Sequence, residues 1–240
     1  MHEEQTEYVH NEAINSSNRE KLAVTVWNYK GGVGKTTISL ILAEIAAREG
    51  KEVLAIDLDK QRNLSAMLEL TNASFSSIQV KHTLDDDLAD EDFDFFVIDT
   101  HPAQNDDVLH ALKFADIVLI PILCDYQSVI NLAETFNFAY SAGLGREQVA
   151  LVKNCITGLR IIFDIEAAID NHCYPVAGRL PRCNTILRNL ATGFRWDRGF
   201  HDNQREPFYQ LYDSVWSAYR DMRVGKFDKI WEGENSYARA

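Results

Sequence analysis

Apolar residues along this chain gather into short unbroken runs. "LAVTVWN" (Leu22–Asn28), "EVLAIDLD" (Glu52–Asp59), "FDFFVIDT" (Phe93–Thr100), "DIVLIPI" (Asp116–Ile122) and "QVALVKN" (Gln148–Asn154) are rich in β-branched and aromatic residues. Runs of this length and composition read as buried strands. "SIQV" (Ser77–Val80) is a weaker strand, and "YPVAGRLP" holds a final one. Helical patterns separate them: "TTISLILAEIAAREG" (Thr36–Gly50), "NLSAMLEL", "DDVLHALKFA", "SVINLAETFNFAYSAG" and "IIFDIEAAIDN". In "EPFYQLYDSVWSAYRDM", Phe208, Leu211, Tyr212, Val215, Trp216, Tyr219 and Met222 form one helical stripe suited to core packing, with Pro207 in the first turn. Strands that are apolar throughout and alternate with helices imply a mostly parallel sheet covered on both faces. The expected fold class is therefore α/β: one domain over residues 21–223, a polar tail over 1–20 and a second tail over 224–240. There is no internal repeat and no linker that would divide it.

Charge changes this picture in one place. The 240 residues are 46% hydrophobic and carry a net charge of −12. Residues 1–150 hold a net −14 and residues 151–240 a net +2. Overall acidity argues against a protein coated in nucleic acid but leaves room for a local basic face. The four cysteines form no C-x-x-C and no zinc spacing, which fits free thiols in a reducing cytoplasm. The first residues lack a signal peptide's basic and apolar regions, and no apolar run approaches the ~20 residues of a membrane span.

The chemistry begins at "WNYKGGVGKTTISL" (Trp27–Leu40). A strand, a glycine-rich turn, Gly34-Lys35-Thr36 and a helix follow in order. Gly31, Gly32 and Gly34 let backbone N–H groups converge on phosphate oxygens, and the helix N-terminus adds partial positive charge. Lys35 would reach the β/γ-phosphates and Thr36 would sit on Mg²⁺. The general pattern wants glycine where this chain has Tyr29. Asp57 and Asp59 end the second strand and Asp99 ends "FFVID", so carboxylates close two strands beside a phosphate loop, where α/β folds bind ligands. Thr36, Asp57 and Asp99 are the candidate Mg²⁺ ligands.

"KGGVGKTT" (Lys30–Thr37) resembles the deviant Walker A box of the ParA/MinD ATPases, a family of P-loop NTPases. The resemblance implies that Lys30, which its own loop does not require, crosses an ATP-sandwich dimer to the partner's nucleotide. It implies a nucleotide site built from Lys30, Gly31, Gly32, Val33, Gly34, Lys35, Thr36 and Thr37, with ATP and Mg²⁺ as cofactors. "IDLDKQRN" (Ile56–Asn63) resembles switch I, whose second acid, Asp59, orients the attacking water; Lys60 stands where proline is usual. "VIDTHPA" (Val97–Ala103) resembles switch II, with His101 in place of the first proline. The resemblance makes Asn154 an adenine contact and Pro181 part of the frame around the base. Lys30, Lys35 and Asp59 are the implied catalytic set. The segment between the switches is short, as in the compact ParA subgroup, and the expectation is that no helix-turn-helix domain precedes the first strand.

Three segments carry alternatives. "RLPRCNTILRNLATGFRWDRGFHDNQR" (Arg179–Arg205) holds six arginines and two aspartates. It is either a non-specific DNA face, with Arg188, Arg195 and Arg198 as contacts, or an ordinary surface of ion pairs. The acidic run Asp85–Asp94 is either a solvated loop or a dock for a basic segment. The tail "VGKFDKIW" weakly resembles a membrane-targeting tail, but its acids oppose anionic lipid. The leading expectation is a cytoplasmic, nucleoid-associated positioning ATPase. It would form an ATP-dependent homodimer, bind DNA and respond to a ParB-like adaptor. A MinD-like membrane switch and a metal-centre maturation ATPase of the same fold are the alternatives.

Overall fold

The structure is a computed structural model, described here for residues 19–70, 77–85, 87–88, 91–157, 160–192, 199–227 and 231. The predicted alternation is present. In chain order the elements are β1 (Leu22–Val26), α1 (Lys35–Arg48), β2 (Val53–Asp57), α2 (Asn63–Leu70), β3 (Ile78–Lys81), β4 (Phe95–Asp99) and α3 (Asp106–Phe114). They continue as β5 (Ile117–Leu123), α4 (Tyr126–Ser141), β6 (Val149–Ile156), α5 (Arg160–Asp170), β7 (Val176–Pro181), α6 (Asn184–Thr192) and α7 (Asp202–Arg223). The seven strands form one sheet in the order β3-β2-β4-β1-β5-β6-β7, and each described pairing is parallel.

Successive strand residues point to opposite faces, so a strand that is apolar throughout can bury both. Val24 and Val26 of β1, with Phe95 and Val97 of β4, pack under α1 and α7. Ala23, Phe96 and Ile98 lie on the other face with Ala111 of α3. Further along that face, Val118, Ile120 and Ile122 meet Leu132, Phe136 and Ala139 of α4. Thr25, polar within β1, donates its hydroxyl to the Ala111 carbonyl at 2.8 Å. Pro121 lies beyond the last β5 residue in register with β1, Leu119 opposite Val26. Its missing N–H therefore removes no bond on that side.

α7 differs from the expected element. It starts at Asp202, so Pro207 is its sixth residue rather than part of the first turn. His201 donates its N–H to Gln204 Oε1 at 3.1 Å, and its carbonyl accepts from the Gln204 N–H at 2.9 Å. This polar cap starts the helix ahead of the apolar stripe by which sequence recognises it.

The topology places the site. From β1 the chain winds toward β2 and β3, returns to β4, then passes to β5 on the other side of β1. Connections diverge at the carboxyl end of β1, where an open α/β sheet leaves a crevice.

Candidate functional site

The loop after β1 is held from beneath by Asn28. Its buried side chain donates to the Pro121 carbonyl at 2.9 Å and accepts the Lys30 N–H at 2.8 Å. Gly34 caps α1 with φ 100, a left-handed conformation that glycine adopts without strain. A Cβ there would stand 2.2 Å from Asn154 Nδ2. That same nitrogen donates to the Val33 carbonyl at 2.8 Å. Asn154, expected at the adenine, lies within β6 with its amide on the phosphate loop. Pro181 ends β7 in register with Ile156 of β6. Thr36 and Thr37 are half-buried on the first turn of α1, while Gly31 and Gly32 lie exposed at the loop's mouth.

The two lysines occupy different settings. Lys35 is buried, its amine donating to the Lys30 carbonyl at 3.2 Å. Burial pushes its pKa down, while Asp99 and Asp59 act in the opposite direction. Lys30 is partly exposed at the rim, its amine 2.7 Å from Asp125 Oδ2. Asp125 also caps α4, accepting the Ser128 N–H at 2.7 Å. Tyr29, in place of the usual glycine, turns onto the same helix beside Asn131 and Thr135.

The carboxylates also divide. Asp57 Oδ2 accepts from the Ser65 N–H and hydroxyl at 2.9 and 2.8 Å, and Oδ1 accepts the Asp59 N–H at 3.2 Å. Expected as a metal ligand, Asp57 has both oxygens engaged in holding the turn between β2 and α2. Asp99 is fully buried; Oδ1 accepts the Ser39 hydroxyl at 3.2 Å, and Oδ2 has no hydrogen-bond partner among the described residues. Burial pushes Asp99 up to about 7; the nearby Thr36 hydroxyl opposes this, Asp57 adds to it, and Lys35 and Ser39 oppose it. Asp59 is half-exposed, and its Oδ1 accepts the Gln61 N–H at 3.0 Å. The Leu58 N–H donates to the Asp99 carbonyl at 2.9 Å, joining the two strand ends. Among the described residues, no three His, Cys, Asp or Glu side chains gather to hold a metal. A hydroxyl from Thr36 and one unpartnered Asp99 oxygen are the sparse donor set of Mg²⁺ that keeps its waters and phosphates.

After Asp99 the chain is tied to β1 and to the residue that follows it. Thr100 donates its hydroxyl to the Val26 carbonyl at 3.0 Å, and the Trp27 indole N–H donates to the Ala103 carbonyl at 2.9 Å. Sequence reasoning did not find Trp27, Asn28, Ser39 or Asp125. Ser39 had a usable signal, one helical turn beyond Lys35. The partners of the others come from strands and helices distant in sequence.

The geometry is that of a phosphate loop facing a buried acid, and a family model for the "CobQ/CobB/MinD/ParA nucleotide binding domain" matches residues 24–193. The chain belongs to this nucleotide-binding family. It is 28% identical over 144 residues to the chromosome-partitioning ATPase Soj of Thermus thermophilus, covering 46% of this chain and 58% of that protein. It is 25% identical over 159 residues to the sporulation initiation inhibitor protein Soj of Bacillus subtilis, covering 48% and 63%. The match therefore spans about three fifths of each of these relatives. In fold it is similar to a plasmid partition protein of Borrelia burgdorferi bound to AMPPNP. The TM-score is 0.69 at 16% identity, over 82% of this chain and 98% of that one.

The expected basic face is only partly described. Arg188 is exposed on α6, while Arg195 and Arg198 lie outside the described residues. Arg179 makes a two-pronged ion pair with Glu166, and Arg205 pairs with Asp202 at 2.7 Å. Arg179 and Arg205 are thus already paired with acids. In the acidic run, Asp94 accepts the Glu52 N–H at 2.9 Å and Glu91 pairs with Lys81, so part of that run closes loops. In the C-terminal tail, the Trp231 indole donates to the Glu147 carbonyl at 2.7 Å. No helix among the described residues is long and apolar enough to cross a membrane.

Proposed function

We propose that this chain is a Mg²⁺-dependent ATPase of the partition type, working as an ATP-dependent homodimer. The observation that carries this reading is the buried Asp99 oxygen without a hydrogen-bond partner among the described residues, beside Lys35 and Thr36 of the phosphate loop. A buried carboxylate oxygen left without a donor is costly unless a ligand completes it. In this reading Thr36 and Asp99 hold the ion, Asp99 through water, and Mg²⁺ supplies charge neutralisation at the phosphates. Asp57 keeps the switch I turn in shape. The N–H groups of Gly31 to Thr37 and the Lys35 amine bind the phosphates. Asp59 orients the attacking water, Asn154 contacts adenine and Pro181 is part of the frame around the base. Lys30 leaves Asp125 to reach the nucleotide of a second copy. DNA is bound through phosphates by Arg188, Arg195 and Arg198, and a ParB-like adaptor stimulates turnover on a cytoplasmic, nucleoid-associated dimer.

The test is size-exclusion chromatography and phosphate release with Mg-ATP and with a non-hydrolysable analogue. The wild-type chain should dimerise with either nucleotide and release phosphate only from ATP. Lys30→Ala should bind nucleotide but remain monomeric. A Lys30→Ala variant that dimerises and turns over normally removes the cross-subunit lysine from the mechanism.

A further inference from the structure

The segment after Asp99 is held at two points close together in sequence. Thr100, 1% exposed, donates to the Val26 carbonyl; Ala103 accepts from the indole of Trp27, the next residue after Val26. Only His101 and Pro102 lie between the two ties. Within the bracket the Ala103 N–H turns back to the His101 carbonyl at 2.9 Å. Trp27 itself has nowhere to go. It is fully buried, its N–H bonds the Leu119 carbonyl at 3.0 Å, and its ring lies 5.0 Å from Phe138 of α4.

We infer that Trp27 is a positioning residue for hydrolysis: with Thr100 it brackets the switch after Asp99, so that His101 and Pro102 face the nucleotide from a fixed frame. This rests on the ATPase reading above. A loop closing over a phosphate site must hold its backbone to fractions of an ångström for the water to attack in line. A carbonyl held by an immobile indole provides such a fixed point, whereas a surface side chain would add its own motion. The indole stands behind the loop, so its effect on the reaction passes through Ala103. Its loss should therefore leave ground-state nucleotide binding alone.

Trp27→Phe keeps an aromatic ring beside Phe138 and deletes the donor. The expected result is about a tenfold lower kcat, the rate equivalent of one buried hydrogen bond, with KM and analogue affinity within about twofold. A kcat within about twofold of wild type overturns the inference, as does a KM that rises as steeply as kcat falls. A second measurement leaves Trp27 in place, so a poorly folding Trp27→Phe variant does not decide the matter. The Trp27 indole N–H, distinguished from the other three tryptophans by replacing each of them in turn, is followed by hydrogen exchange. It should stay protected when the non-hydrolysable analogue binds. Loss of protection on binding means the bracket opens, and the inference fails. A wild-type chain that binds ATP without turning it over would overturn the ATPase reading, and with it a role for Trp27 in hydrolysis; the exchange result would still report the bracket.

Discussion

The Lys30 amine lies 2.7 Å from Asp125 Oδ2, an ion pair within one chain made by the lysine proposed to act across two. The two side chains are 26% and 39% exposed, and pairs so exposed stabilise by about 0–1 kcal/mol, weak enough to exchange on docking. Burial raises the Asp125 pKa, but bonds from Lys30 and Ser128 outweigh it and the net shift is downward. The stabilisation from this carboxylate is therefore present above the ordinary aspartate pKa and is lost as pH falls through the depressed value. Lys30→Ala should move the Asp125 midpoint upward in a carboxyl-resolved NMR titration. An unmoved midpoint would show that the pair does not form in solution.

Lys35→Ala should abolish ATP binding in a fluorescent-nucleotide titration, because the buried amine is the site's fixed charge. Gly34→Ala should do the same by a different route. Its φ of 100 strains any L side chain, and the new Cβ would strike Asn154. Undiminished binding by both variants would place the nucleotide elsewhere.

Asp59→Ala should accumulate a closed, ATP-loaded dimer with phosphate release reduced by at least about tenfold, the scale of losing one water-positioning group. Native gels and single-turnover assays would report the two quantities separately. Normal turnover would move the role of orienting water away from Asp59.

DNA binding through phosphates should be indifferent to sequence and weaken steeply with salt. The dimer should bind more tightly than the monomer, since pairing doubles the basic patches. Replacing Arg188, Arg195 and Arg198 with Glu should remove a mobility shift on unrelated duplexes while sparing dimerisation. Arg179→Ala should instead lower stability, because it strips Glu166, 5% exposed, of its two-pronged partner. Tight binding by the triple variant would mean that the DNA face lies elsewhere.

Phe136→Ala should cost about 3–5 kcal/mol in denaturant unfolding, because the ring is fully buried and stacks 3.9 Å from Tyr174. A loss below about 1 kcal/mol would show that α4 repacks freely.

The sequence by itself determined the parallel α/β layers, the phosphate loop and the acids closing β2 and β4. Those features depend on local spacing: apolar runs of strand length, glycines before a helix, a carboxylate at a strand's end. Tertiary structure decided which acid keeps an open oxygen. Asp57 and Asp99 read alike along the chain, yet Ser65 from α2 bonds one, while Oδ2 of the other has no hydrogen-bond partner among the described residues. It also decided that Arg179 belongs to Glu166, that Lys30 rests on Asp125 and that Trp27 ties down Ala103. The Lys30 and Trp27 partners lie 95 and 76 residues away in sequence. Periodicity and propensity act over a few residues. Which distant donor meets which acceptor is set by the sheet order that brings β1, β4 and β5 side by side.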